Sequence, residues 1–107
     1  MNEGMLKPSA ARLILVRELS EGPKSHMALR VAYFGVGRAE GNTANTSFYN
    51  KLKAACSEKL VKKDSVGIYS LDVEGDKMLA FAREQKMDLT VIKSEAQTRW
   101  EMEHPQA

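Results

Sequence analysis

The sequence predicts a small single domain of the α+β class in which helices predominate. Over most of the 107-residue chain, apolar residues recur at intervals of three and four, the spacing of an amphipathic helix. Glycine and proline separate these stretches and mark where helices end. Between residues 60 and 72 the pattern changes to a period of two, which is typical of β-strands.

The composition indicates a globular protein that functions in a reducing compartment. The chain is 43% apolar and 28% charged, which is ordinary for a soluble domain. No apolar run approaches the roughly 18 residues of a membrane span, and the first residues lack the pattern of a signal peptide. Cys56 is the only cysteine, so an intrachain disulfide is excluded and a cytoplasmic location is expected.

The first two helices are bounded by capping and stop signals. Ser9 is a suitable N-cap for a helix over 9–21. Gly22-Pro23 ends that helix, because glycine suits the left-handed position after a helix and proline cannot continue it. Ser25 can cap a second helix that runs to Phe34.

The central helix is the element around which we interpret the chain. Residues 36–45 are rich in glycine and asparagine without periodicity and are expected to form a loop. Asn45 or Thr46 would cap a helix that ends near Glu58. Its buried stripe follows the i, i+4, i+7 spacing and consists of Phe48, Leu52 and Ala55.

The opposite side of this helix is polar and offers hydrogen-bonding groups. We expect Thr46, Ser47, Asn50 and Lys53 to contact bases or phosphates, since amides, hydroxyls and amines of this kind bind base edges and the DNA backbone. Tyr49 lies at the margin of the stripe, where it either bonds a phosphate through its hydroxyl or packs as a half-buried core residue. A plain amphipathic helix with a solvated face remains the alternative for the whole set.

A short hairpin follows the central helix. Residues 60–63 and 67–72 are predicted strands, and residues 64–67 begin with aspartate and end with glycine, as a type I turn prefers. A helix followed by a tight, basic hairpin is typical of a winged helix-turn-helix domain. Lys62 and Lys63 would then contact phosphates, or else protect an exposed strand edge from aggregation.

The start of the second helix offers a further candidate phosphate contact. Lys24 and Ser25 stand where the free backbone N–H groups of a helix N-terminus favour an anion. Positive charge is concentrated in the same part of the chain: the net charge is +2 over residues 1–41, +3 over 42–70 and −3 over 71–107. This asymmetry permits nucleic-acid binding without requiring it.

The C-terminal third is predicted to be helical. Asp72 can cap a helix whose inward stripe is Met78, Phe81, Ala82 and Gln85. We expect another helix over 86–103, although residues 90–92 also have strand propensity. A homodimer interface is expected on this last helix, with the apolar residues Leu89, Ile92, Ala96 and Trp100.

The predicted fold is therefore a winged helix-turn-helix with a C-terminal helix: a three-helix core plus a two-stranded wing. It divides into an N-terminal extension (1–8), the winged helix-turn-helix domain (9–85), a dimerisation helix (86–103) and a tail (104–107).

Catalysis and metal binding have little support in the sequence. Cys56 falls beside the buried stripe and is better explained as a small core residue than as a nucleophile. His26 and His104 are isolated, without a cysteine or second histidine at ligand spacing. We expect neither a metal nor a cofactor, and we do not expect an enzyme.

Four stretches resemble the PadR family of winged-helix transcription regulators. Residues 15–23 are similar to the family's leucine-rich first helix ending in Glu-Gly-Pro, and Thr46-Ser-Phe-Tyr-Asn-Lys-Leu52 to its Gly-Thr-Leu-Tyr-x-x-Leu recognition helix. Lys59-Leu-Val61 stands where the family has Gly-Leu-Val or Gly-Leu-Ile. Residues 68–75 resemble the second wing strand and its Tyr-Tyr-x-Leu-Thr-x-x-Gly pattern. The family's Gly-Arg-Arg/Lys segment before that strand is replaced by Asp64-Ser-Val-Gly67.

This resemblance implies a homodimeric regulator that binds double-stranded DNA in a sequence-specific manner, most simply a repressor. It also implies a small aromatic or hydrophobic effector at the dimer interface, where Trp100 would line the site. The shortened wing and the modest charge favour an alternative, namely a winged-helix protein-interaction module or a mobile-element accessory factor without promoter function of its own.

Overall fold

The computed structural model describes residues 6–35 and 42–103. They form a mostly helical α+β arrangement, so the predicted class is confirmed. The elements in chain order are α1 (Ala10–Leu19), β1 (Lys24–Ser25), α2 (His26–Phe34), α3 (Asn42–Ser57), β2 (Val61–Lys63), β3 (Ile68–Leu71), α4 (Val73–Glu84), a short 3₁₀ helix (Leu89–Val91) and α5 (Glu95–Glu103).

Helices α1 and α2 begin at the predicted caps. The Ser9 hydroxyl accepts a hydrogen bond from the Arg12 amide at 3.3 Å, and the Ser25 hydroxyl accepts one from the Ala28 amide at 3.2 Å. Each satisfies a donor that the first helical turn would otherwise leave free. Helix α1 ends at Leu19, before the Gly22-Pro23 signal, and Gly22 takes the positive φ of 130° that favours glycine.

Helix α3 begins earlier than predicted. It starts at Asn42, so residues 42–45 are helical and not part of a loop. The predicted cap Asn45 lies inside the helix, where its side-chain oxygen accepts a hydrogen bond from the guanidinium of Arg30. The side-chain oxygen that the sequence predicts as a helix cap is thus bonded to Arg30 of α2 instead. The remaining part of the predicted loop, 36–41, lies outside the described residues.

The predicted hairpin is present and belongs to a three-stranded antiparallel sheet of order β1-β3-β2. In its turn, the Gly67 amide donates to the Asp64 carbonyl at 3.2 Å, and the Asp64 carboxylate accepts from the amides of Val66 and Ile68 at 2.9 Å. Strand β1 was not predicted. It is two residues long and is defined only by its pairing with β3, Lys24 opposite Tyr69 and Ser25 opposite Ile68.

Helix α4 follows the hairpin directly. Asp72 caps it as predicted, accepting from the Val73 amide at 2.7 Å, while Met78 and Ala82 face the core. The prediction of Gln85 as an inward residue is wrong: Gln85 is exposed and forms the C-cap. Helix α4 ends at Glu84, so Gln85 does not continue the inward-facing stripe of the helix.

The prediction of one continuous helix over 86–103 is wrong. The 3₁₀ helix is capped by Asp88, and residues 92–94 are not helical before α5 begins. Ser94 explains the break, because its buried hydroxyl accepts from the Gln97 amide at 3.0 Å and donates to the Tyr33 carbonyl at 2.7 Å. It therefore caps α5 and ties it to α2.

The core lies among α1, α2, α3, the hairpin and α4. The predicted α3 stripe is fully included in it, together with residues from every one of these elements: Leu13, Ile14, Leu15, Val16, Leu19, Leu29, Tyr33, Phe34, Phe48, Leu52, Ala55, Leu60, Val61, Tyr69 and Met78. Burial of this apolar surface is the main source of stability, at about 25 cal/mol per Å².

Candidate nucleic-acid interface

Helix α3 presents a polar face to solvent, as the sequence predicts. Because Phe48 and Leu52 are buried, the opposite side of the helix carries the exposed Thr46, Asn50 and Lys53. These residues follow one another at intervals of four and three, so their side chains lie on one stripe along the helix. The arrangement offers a hydroxyl, an amide and an amine along one line.

Ser47 lies at the margin of this stripe, three residues before Asn50. It is exposed, but it lines a cleft of about 210 Å³ between α3 and α5 together with Lys51, Ala96 and Arg99. The four polar residues predicted to act together on α3 are thus all exposed, with Ser47 lying between the stripe of Thr46, Asn50 and Lys53 and the cleft.

Tyr49 stands at the edge of α3 that faces the hairpin. Half of it is exposed, at 50%. Burial raises the pKa of the Tyr69 phenol, and the neighbouring Cys56 and Tyr49 raise it further. Tyr49 is therefore half exposed and lies near Tyr69 of the sheet, which is compatible with both functions expected for it.

Lys62 and Lys63 are exposed on β2, next to α3. Lys62 pairs with Ser70 and Lys63 with Tyr69 across the hairpin. Since successive residues of a strand point to opposite faces, the two ammonium groups stand on opposite sides of the hairpin. Lys63 shares the face of Tyr69, where it also acts electrostatically on the Cys56 thiol.

Lys24 and Ser25 are already engaged within the chain. The Lys24 ammonium donates to Glu18 at 2.8 Å and to Glu21 at 2.6 Å, and these bonds raise its pKa. The Ser25 hydroxyl caps α2. Lys24 is thus a neutralised cation, and its contribution to an anion site is smaller than its sequence position indicates.

Unpaired positive charge is concentrated on α3 and β2. Across residues 6–35 and 42–103, seven ion pairs occur, and none of them uses Lys51, Lys53, Lys59, Lys62 or Lys63. Residues 42–70 contain two acidic residues. Glu58 pairs with Arg12 at 2.5 Å, and the Asp64 carboxylate accepts hydrogen bonds from backbone amides of its own turn. None of these ammonium groups forms an ion pair with a described carboxylate, although Lys51 shares the cleft between α3 and α5 with Glu95, which pairs with Arg99.

Two of these lysines were missed by the sequence analysis. Lys51 is exposed on the flank of α3, with its Nζ 5.6 Å from the centre of the Tyr33 ring. Lys59 follows α3 in a left-handed conformation, with φ of 62°. Their charge was visible in the sequence, but only the structure indicates that they lack acidic partners.

No family model, curated protein or solved structure matches the chain.

The junction of α2 and α3 holds two buried nitrogen atoms without hydrogen-bond partners. One is His26 Nε2 and the other is Arg30 Nε. The His26 ring packs edge-on against Phe48, with 5.6 Å between centroids, and burial together with the charge of Arg30 lowers its pKa. His26 is thus a ring packed between the two helices, in an environment that disfavours its protonated form.

Cys56 is a partly buried free thiol on α3. Burial raises the pKa of the Cys56 thiol, which disfavours the reactive thiolate. Among the described residues, no group of three or more histidine, cysteine, aspartate or glutamate side chains stands close enough to hold a metal ion. The described helices also include none that is long and apolar enough to cross a bilayer.

The residues predicted for a dimer interface contact the core of their own chain. Leu89, Ile92 and Ala96 are partly buried against it. Arg17 holds the segment in place by donating to the carbonyls of Leu89 at 3.0 Å and Ile92 at 2.8 Å. The backbone of Trp100 lies in α5, and its side chain is outside the described part of the structure.

Proposed function

We propose that this protein is a winged helix-turn-helix regulator of the PadR type that binds double-stranded DNA in a sequence-specific manner. The observation that carries the proposal is that the exposed lysines of α3 and β2 form no ion pair with described residues, while α3 also presents an exposed polar stripe. Phosphate contacts by lysine supply affinity, whereas hydrogen bonds to base edges supply sequence preference.

In this proposal α3 is the recognition helix. Asn50 reads a base edge in the major groove, since an amide is suited to the paired donor and acceptor of adenine. Lys53 and Thr46 bind base edges or phosphates beside it. The hairpin is the wing, and Lys62 and Lys63 extend the phosphate contacts on either side of it.

A homodimer completes the proposal, because two copies of α3 would read half-sites one helical turn apart. The segment 86–103 is the proposed dimerisation element through Trp100 and exposed residues of α5, with Met102 as one exposed apolar candidate. Sedimentation of the full chain tests this part. A monomer that persists at high concentration contradicts it, and Trp100→Ala should promote dissociation.

A salt titration of binding to random and promoter DNA tests DNA binding itself. If Lys53, Lys62 and Lys63 of two subunits each neutralise one phosphate, the slope of log K against log salt should be about −5. Lys62→Gln should then reduce the magnitude of that slope by about 2 for the dimer. Arg83→Gln removes an exposed, unpaired cation on α4 and serves as the matched control.

Two further variants separate affinity from specificity. Lys53→Ala should weaken binding to all sequences, whereas Asn50→Ala should relax preference at one base position at a cost of about 1–3 kcal/mol. If neither substitution alters binding, α3 is not the recognition helix.

One observation favours the alternative of a protein-interaction module. Val66 at the tip of the hairpin is 78% exposed, where an arginine would be the better ligand for a phosphate or the minor groove. A module of this kind would show weak DNA binding without a steep salt slope, and Val66→Ser would weaken its partner complex.

A further inference from the structure

A groove runs between α1 and α3 on the flank of α3 that does not carry the polar stripe. Its volume is about 270 Å³. Three alanines form part of its walls, Ala11 on α1 with Ala54 and Ala55 on α3. Small side chains at these positions leave the space between the two helices open, because no longer side chain reaches across it.

The interior of the groove is apolar. The buried side chains of Leu15, Tyr33, Phe48 and Leu60 line it. Water in such a space has few hydrogen-bonding partners, so an apolar group that replaced it would gain burial at about 25 cal/mol per Å². The walls therefore favour the hydrocarbon part of a ligand.

The polar rim of the groove carries one ammonium group, that of Lys51, which forms no ion pair with a described residue. Arg12 and Glu58 face each other at 2.5 Å and neutralise one another. Lys51 has no carboxylate partner within residues 6–35 and 42–103, and its ammonium stands 5.6 Å from the centre of the Tyr33 ring. An anion at this rim would gain a charge-assisted hydrogen bond from Lys51.

We propose that the groove binds an amphipathic carboxylate, with its chain between α1 and α3 and its carboxylate on Lys51. The size indicates a medium-chain acid, because the cavity is slightly smaller than the roughly 300–1,000 Å³ typical of drug-sized ligands. The site lies within one chain, and it does not depend on DNA binding or on a dimer.

Octanoate is the probe, titrated into the isotopically labelled full-length chain and followed by NMR. Saturable shifts should appear at the amides of both walls, near Ala11 on α1 and near Lys51 and Ala54 on α3. Octanol should bind about fivefold or more weakly, since it lacks the charge that Lys51 recognises. Octylamine, which has the wrong charge, should not bind at this site.

Two substitutions test the site directly. Ala54→Leu fills the groove from an exposed helical position and should weaken octanoate binding at least tenfold. Lys51→Gln should weaken it about fivefold and abolish the preference for octanoate over octanol. Ala80→Leu, at an exposed alanine of α4, and Lys86→Gln are the matched controls and should leave binding unchanged.

Several results would overturn the proposal. These are the absence of saturable binding, equal binding of octanoate and octanol, or unchanged binding by Ala54→Leu. If that variant does not fold, Ala11→Leu blocks the groove from the opposite helix and gives the same readout. Shifts of the groove amides on increasing protein concentration, without octanoate, would assign the groove to a second copy of the chain instead.

Discussion

Among the described glycines, Gly75 has the closest neighbouring atoms. A Cβ at this position would stand 2.2 Å from the Leu60 carbonyl oxygen and 2.8 Å from the Leu71 side chain. Only glycine therefore allows α4 to begin directly beneath the end of α3.

We expect Gly75→Ala to lower the free energy of unfolding by about 2 kcal/mol, because the backbone of Leu60 must shift to admit the methyl group. Urea denaturation measures the change. Ala80→Gly at an exposed α4 position is the control, since it should cost about 1 kcal/mol through helix propensity alone. A gain in stability from Gly75→Ala would mean that propensity outweighs the close approach.

We expect the protein to lose stability on mild acidification because of His26. Burial and the charge of Arg30 lower its pKa in the folded state. The imidazole of the unfolded chain therefore binds a proton more readily than that of the folded chain. The contribution of neutral His26 to the free energy of unfolding is complete above the unfolded pKa of about 6.5, and it is lost as pH falls below that value.

Urea midpoints at pH 7.5 and pH 5.5 measure this effect. His26→Gln should reduce the difference between the two midpoints. The pKa of Glu18 is also lowered in the folded state, because hydrogen bonds from Lys24 and Arg17 outweigh the effect of burial. Glu18 therefore changes the stability only at a lower pH than His26 does. An equally large difference in the variant would exclude His26 as the cause.

At the scale of elements, α3 and α4 are each followed by a lysine in the left-handed conformation, where glycine is usual. Lys59 and Lys86 have φ of 62° and 56°. The Leu60 amide bonds to the Ala55 carbonyl at 3.0 Å and the Lys59 amide to the Cys56 carbonyl at 3.1 Å, the pattern of a Schellman motif. A left-handed lysine carries a steric cost that glycine would not.

Lys59→Gly should accordingly be more stable than Lys59→Ala by about 1 kcal/mol, since both remove the charge and only glycine relieves the left-handed strain. Thermal and urea unfolding of the two variants provide the comparison. Equal stability would indicate that the C-terminus of α3 relaxes to accept a Cβ.

Ser94 is the residue that joins α5 to α2. Its hydroxyl satisfies the Tyr33 carbonyl in the last turn of α2, which otherwise lacks a partner in the helix, and it caps α5. We expect Ser94→Ala to cost about 1–2 kcal/mol and to accelerate hydrogen exchange throughout α5. Ser57→Ala, an exposed serine on α3, should change neither quantity.

At the scale of the whole molecule, the segment after α4 packs against the same core as the helices before it. Arg17 and Ser94 bind it to α1 and α2, and Leu89 and Ile92 cover apolar surface there. The predicted boundary between 85 and 86 therefore coincides with a turn in the chain, and we expect both sides of it to unfold together.

Denaturation followed by two signals tests this cooperativity. Trp100 is the only tryptophan and reports on the C-terminal segment, whereas far-UV circular dichroism reports on all helices. We expect coincident transitions. Loss of the tryptophan signal at lower denaturant concentration would establish the segment as a separate unit.

The sequence by itself determined the local elements for which a strong signal lies within a few residues. The caps at Ser9, Ser25 and Asp72, the apolar stripe of α3 and the turn at Asp64 are of this kind, and all are present. They are short-range consequences of hydrogen bonding and periodicity, so no partner element is needed to predict them.

The tertiary structure alone decided features that depend on a distant partner. Strand β1 exists only through β3, Asn45 is diverted from capping by Arg30, and the helix over 86–103 is broken where Ser94 reaches Tyr33. The candidate site follows the same rule. The lysines of α3 and β2 were visible in the sequence, but whether each had an acidic neighbour depended on contacts between elements far apart in the chain.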